Sequence, residues 1–97
     1  MKNDELVSVI EFCKNHQAEL SFVSSLKESG LIDFVFIEGQ AYININHLRQ
    51  LETMISFHYD LEINLEGIET IIELLNRIND LQHRLAYLQE KLKLLEE

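Results

Sequence analysis

Basic residues are scarce in this chain, and so are glycine, cysteine and proline. Lys and Arg total 8 against 17 Asp and Glu, a formal charge of −9. Such a chain has little with which to build a phosphate-neutralising face, so DNA is not the expected partner. Its three glycines are too few for the usual phosphate-cradling loops, and neither GxGxxG nor a P-loop pattern occurs. The single cysteine, Cys13, has no intrachain partner, and Met1-Lys2-Asn3-Asp4-Glu5 lacks the basic start and apolar stretch of a signal peptide. Both features predict a cytoplasmic protein. The densest apolar run is Phe34-Val35-Phe36-Ile37, far short of the roughly 18–20 residues that cross a bilayer, and no membrane partner is expected. The apolar fraction is nevertheless 46%, ordinary for a folded chain and too high for a disordered one. A length of 97 residues suits one domain, or one small domain with an appendage.

Periodicity divides the chain into residues 1–63, read as a winged helix-turn-helix domain, and residues 64–97, read as a long dimerisation helix. No low-complexity linker separates them, which predicts one continuous helix rather than a flexible joint. Ser8-Val9-Ile10-Glu11 has the form of a capping box. It opens a helix ending near His16, with Ile10, Cys13 and Phe12 as candidates for its inner face. A second short helix is expected from Ser21 to Ser29, with Ser21 as N-cap, Gly30 beyond its end, and Phe22, Val23 and Leu26 at helical spacing. From Leu31 to Ile45 the residues favour a two-stranded hairpin turning at Glu38-Gly39-Gln40, the wing of a winged helix. A third helix should start at Asn44, run through Leu48, Leu51 and Ile55, and fade near His58-Tyr59. Asn64 then caps the long helix, with Ile63 and Ile68 forming a hydrophobic staple.

The long helix carries the clearest pattern. Ile71, Leu74, Ile78, Leu81, Leu85, Leu88, Leu92 and Leu95 alternate steps of three and four without an error, filling every a and d position from Ile71 onward. As helix, this segment is roughly 50 Å long. A compact remainder of about 60 residues is only roughly 27 Å across, so it leaves the distal half of the stripe uncovered. Each buried Leu or Ile stabilises by about 1.5–3 kcal/mol, and the stripe therefore predicts a homodimeric coiled coil. The g positions Arg77, Arg84 and Lys91 are basic, while the e positions are Leu75, Gln82, Gln89 and Glu96. A parallel pair avoids setting g against g and is favoured by a few tenths of a kcal/mol per pair, which leaves the orientation open.

The order helix-turn-helix, hairpin, helix, long coiled-coil helix resembles MerR-type winged-helix proteins. A narrower likeness rests on Glu11-Phe12-Cys13, on a helix ending Gly30-Leu31-Ile32, and on His58-Tyr59-Asp60-Leu61-Glu62-Ile63-Asn64-Leu65-Glu66-Gly67-Ile68. These stretches resemble chaperone modulators of the CbpM type over nearly the whole chain. The resemblance implies a mainly α MerR-like winged helix-turn-helix with a two-stranded wing and a long C-terminal coiled-coil helix. It further implies a small adaptor that binds the J-domain of a DnaJ-like co-chaperone and inhibits it. DNA-binding MerR relatives carry Arg and Tyr on the second helix and bases on the wing. Here Ser21–Ser29 holds only Lys27 and Glu28, and Leu31–Ile45 holds Asp33 and Glu38 with no base. From Leu31 to Gly67, one base (Arg49) faces six acids (Asp33, Glu38, Glu52, Asp60, Glu62 and Glu66), a net −5. A basic partner helix would be attracted to such a surface and a phosphate backbone repelled.

Single residues carry little chemistry by themselves. Cys13 and His16 stand at a spacing that metals accept, but His47, His58 and His83 are dispersed, so no metal site is expected and Cys13 is read as a small core residue. No third group orients a Cys-His nucleophile. Asp60 and Glu62 at a helix junction are read as solvated or capping rather than as an acid/base pair, and neither enzymatic activity nor a cofactor is expected. Phe57, Tyr42 and Tyr59 are assigned to packing between wing and helices in preference to anchoring a partner. With the coiled-coil face used for dimerisation, the candidate partner-binding residues are Glu11, Glu19, Glu28, Asp33, Asp60 and Glu62.

Overall fold

Three helices supply the core with apolar residues at the i, i+3, i+4 spacing that places them on one face. The computed structural model describes residues 5–96, in which β1 (Leu6–Ser8), α1 (Val9–Asn15), α2 (Leu20–Glu28), β2 (Val35–Ile37), β3 (Gln40–Asn44), a 3-10 turn (Ile45–His47), α3 (Leu48–Tyr59) and α4 (Leu65–Glu96) follow in order. Val9, Phe12 and Cys13 from α1 meet Phe22, Val23 and Leu26 from α2 and Leu51, Met54 and Ile55 from α3. Ile43 of β3 and Ile68 of α4, both fully buried, close this core. Burial pushes the Cys13 thiol above its ordinary pKa, which leaves it protonated and inert at neutral pH. Ile10 does not join the core. One residue after Val9 on the helix, it is turned about 100° away from that buried stripe, and it is exposed.

The hairpin is present as expected, with Val35 opposite Tyr42, Phe36 opposite Ala41 and Ile37 opposite Gln40. Glu38 and Gly39 make its turn at φ 50° and 81°, the double positive φ of the two-residue turns that match strand twist. The wing is not limited to two strands, however. β1 pairs antiparallel with β3, Val7 opposite Ile43, giving the sheet order β1-β3-β2. A three-residue strand running directly into a helix shows too little alternation to be read from sequence. Ser8 ends β1 and caps α1, its Oγ accepting the Glu11 amide at 3.4 Å; the reciprocal half of the capping box is absent among the described residues.

Two helix boundaries differ from expectation for tertiary reasons. α2 begins at Leu20, so Glu19 rather than Ser21 is its N-cap, and the Glu19 side chain makes no capping bond. The Glu19 amide instead donates to the Tyr59 hydroxyl of α3 at 2.9 Å. Asn44 starts a 3-10 turn, its Oδ1 accepting the Asn46 amide, and α3 proper begins at Leu48.

α3 and α4 do not form one continuous helix. The chain turns through Asp60–Asn64, with Glu62 at φ 56°. The turn is well bonded: the Ile63 amide donates to the Phe57 carbonyl at 3.0 Å, and His58 Nδ1 donates to the Ile63 carbonyl at 2.9 Å. Asn64 caps α4 as expected, its Oδ1 accepting the Gly67 amide at 2.9 Å. Gly67 sits where a Cβ would lie 2.7 Å from Ile63 Cγ2 and 3.2 Å from Asn64 Oδ1. Gly67→Ala should therefore not yield the gain of about 1 kcal/mol that Ala normally brings to a helix, while Asn64→Ala should cost about 1 kcal/mol. Urea unfolding of both variants checks this; a Gly67→Ala variant more stable by the full amount would show that Ile63 yields without cost.

Candidate functional site

Two surfaces are chemically distinctive, and α4 carries the first. Its opening turns belong to the core through Ile68 and Ile72. From Glu73 to Glu96 every residue is exposed. Of the predicted dimerisation residues, Ile71 is half-buried, and Leu74, Ile78, Leu81, Leu85, Leu88, Leu92 and Leu95 are 49–83% exposed. Nothing in the same chain covers them. The molecule extends over 57 × 37 × 20 Å, its long dimension set largely by a helix whose 32 residues span about 48 Å. Glu66 in the first turn and Lys93 in the last complement the helix dipole.

The second surface is built from α1, α2 and the hairpin. Away from α4, the large exposed apolar residues include Ile10, Leu20, Val35, Phe36 and Ile37. A groove of about 450 Å³ runs between the first turn of α1, the outer side of α2 and the hairpin, lined in part by Ile10, Leu20, Phe34, Phe36 and Ala41. Lys27 and Glu28 are the charged residues along it. The Lys27 ammonium lies 5.8 Å from the centre of the Phe36 ring, within cation–π range. Phe34 meets Phe36 edge to face with ring centroids 6.1 Å apart.

All six acidic candidates are exposed, but they divide into separate groups. Glu19 lies at the start of α2, tied to Tyr59, and Asp60 follows Tyr59 directly, its carboxylate accepting the Ser56 hydroxyl at 2.9 Å. Glu28 is at the other end of α2, about 13 Å along the helix axis. Asp33 lies in the following loop, where its Oδ1 accepts the Phe34 amide at 3.0 Å. Glu11 is on the outer side of α1, and Glu62 is in the α3–α4 turn. Glu52, which was not a candidate, lies 3.1 Å from His16 Nε2 and links α3 to α1. His16 Nδ1 also contacts the Phe12 carbonyl at 3.1 Å, and its ring stacks on Phe12. His58 stacks likewise on Phe22, with centroids 4.0 Å apart. Both imidazoles thus brace helix packing. Phe57 packs against the core as expected; Tyr59 is exposed at its edge but uses its hydroxyl on Glu19.

The groove could have been found by carrying strand alternation through Phe34-Val35-Phe36-Ile37, because a strand on a small core must turn some of these outward. Among the described residues no group of three or more His, Cys, Asp or Glu could hold a metal ion. No helix among them is long and apolar enough to cross a membrane.

A short turn joining α1 to α2, followed by a hairpin that rejoins the core through Ile43, defines a winged helix-turn-helix protein. Residues 7–90 match the family model described as MerR HTH family regulatory protein, and the chain belongs to that family. Neither the curated proteins nor the solved structures gave a match. In a helix-turn-helix the second helix is the element that reads DNA; here the outer side of α2 carries Leu20, Ser24, Lys27 and Glu28, and the hairpin adds Glu38 and no base.

The Tyr59 hydroxyl accepts the amide of Glu19, the N-cap of α2. Tyr59→Phe should lower stability by about 1 kcal/mol, and hydrogen exchange should show fraying confined to the first turn of α2. Unchanged protection there would mean that packing alone sets the helix start.

Proposed function

We propose that this MerR-family chain is a non-enzymatic protein adaptor that acts as a homodimer and binds the J-domain of a DnaJ-like co-chaperone, inhibiting it. The main support is the chemistry of α2 and the hairpin. Where phosphate contacts would need Lys and Arg, the outer side of α2 presents Leu20, Ser24 and Glu28 with one base, Lys27, drawn toward Phe36. The hairpin and its approach add Asp33 and Glu38 and no base. Membership of the family fits a DNA-binding regulator equally well; the charge of this face favours a basic protein surface. An acidic face steers such a partner and raises the association rate, an effect that salt screens.

The dimer follows from the stripe on α4. Seven apolar a and d residues that water would otherwise surround are worth about 1.5–3 kcal/mol each when covered, and a second copy presents the same stripe in matching periodicity. Sedimentation at micromolar concentration should give a dimer. Truncation after Leu81 removes Leu85, Leu88, Leu92 and Leu95 and should give a monomer or an unfolded chain; a truncated chain that stayed a stable dimer would refute the coiled coil.

Partner choice is tested by charge reversal. Glu19→Lys with Glu28→Lys should slow association with a purified J-domain by about tenfold at low salt and flatten its salt dependence, with the circular dichroism unchanged. The control reverses Asp80 and Glu90, which occupy outward c and f positions of the heptads, and should alter association little. Gel shifts with random and genomic DNA at low salt should show no submicromolar complex; such a complex would favour the DNA-binding regulator instead.

A further inference from the structure

The acidic residues account for attraction but not for the apolar groove between α1, α2 and the hairpin. We infer that this groove is the docking site for an amphipathic helix of a protein partner, its apolar side chains entering beside Leu20 and Phe36 and its basic residues meeting the acidic rim. The inference rests on the adaptor reading and places its interface at one site.

Four observations converge on this occupant. First, Ile10 is 55%, Leu20 48% and Phe36 60% exposed. They come from three separate elements yet line one groove, so their exposure forms a single continuous feature. Second, its volume of about 450 Å³ falls within the roughly 300–1,000 Å³ of sites that take buried apolar groups. Third, the rim selects charge. Glu28 lines the groove, Asp33 accepts the amide of the lining residue Phe34 at 3.0 Å, and Glu38 sits in the hairpin turn beside the lining residue Gly39. The one lining cation, Lys27, already faces the Phe36 ring. These acids favour a partner whose flanks carry Lys or Arg. Fourth, the shape selects a helix. β2 is the edge strand beside the groove but has only three residues, shorter than the mean strand of about 5–6 and a poor template for strand addition. Side chains entering between α2 and the hairpin need no backbone pairing, and apolar anchors at i, i+3, i+4 spacing fit such a groove. Aromatic residues in partly desolvated grooves are the usual energetic centres of interfaces, which nominates Phe36, held in place by Phe34, as the main anchor.

The test uses the full chain and four probes: a synthetic amphipathic helix of Leu and Lys, its Leu/Glu counterpart, a scrambled Leu/Lys peptide and a purified J-domain. Amide shift changes caused by the Leu/Lys helix should map to Ile10, Leu20–Glu28 and Phe34–Ala41, and the Leu/Glu and scrambled peptides should bind more weakly. Phe36→Ser and Leu20→Ser, both at exposed positions, should each weaken binding about tenfold, equivalent to about 1.4 kcal/mol. Leu94→Ser, at an outward c position of α4, should leave binding unchanged. Shift changes centred on Asp60–Glu62, equal binding of the scrambled peptide, or higher oligomers dispersed by Phe36→Ser would each overturn the groove assignment, the last by making a second copy its occupant. A J-domain that binds without sensing Phe36→Ser refutes the groove and leaves the adaptor standing. A groove that takes the Leu/Lys helix while the J-domain fails to bind supports the groove and refutes the J-domain as partner.

Discussion

The departure of α4 from the core after Ile72 is the constraint on which the rest depends. Four helices and a small sheet share one cluster of buried side chains, and only Ile68 of the long helix is fully inside it. The exit is set at Asn64, whose side chain caps the helix, and at Gly67, whose missing Cβ lets Ile63 lie against the first turn. A bulkier residue at Gly67 would push Ile63 outward and tilt the helix relative to α3. The direction of the stripe, and with it any partner that covers the stripe, is therefore set by a five-residue turn bonded through His58 and Phe57.

With α4 committed outward, the small head must stabilise itself and still present a working surface. It does so with apolar packing braced by aromatic stacking rather than with buried charges, since no charged or polar residue is among the buried ones described. His16 on Phe12 and His58 on Phe22 stack at the margin of the core. The acidic residues lie at the surface, where exposed charges contribute little to stability. The apolar side chains of β2 contribute little to the core either: all three of its residues are exposed. An exposed apolar edge strand invites association unless something covers it, and this one lies beside Leu20 and Ile10, which are exposed as well.

Much of this fold was legible in the sequence because its signals are local. Asn64 as cap, the turn at Glu38-Gly39, Gly30 at positive φ and the heptads of α4 each depend on chemistry within a few residues. The misreadings share a different origin. Ser21 lost the capping position because Tyr59, forty residues away, anchors the chain at Glu19. β1 escaped notice because a three-residue strand is defined by its partner β3 and not by its own pattern. Ile10 and Val9 are neighbouring apolar residues, and which of them joins Phe12 and Cys13 inside is decided only when the other helices fix the phase of α1. The candidate acids are all exposed, and their separation into groups on α1, at the two ends of α2 and in the α3–α4 turn depends on tertiary geometry.

The same geometry separates what the family scaffold provides from what this chain does with it. A winged helix-turn-helix projects α2 and the hairpin together, and their backbones present a fixed pair of walls whatever side chains they carry. Bases on those walls make a phosphate-binding face. Here the same walls carry Leu20, Phe36 and Glu28, with Lys27 as the one base among the lining residues. Adding bases alone would change the character of this face only in part. Lys27 already sits there, and its ammonium is drawn onto Phe36, so a new lysine beside an exposed ring would be partly used in the same way. Removal of the ring together with the acids would change this face most, which makes Phe36 the residue on which the chemical character of the surface turns.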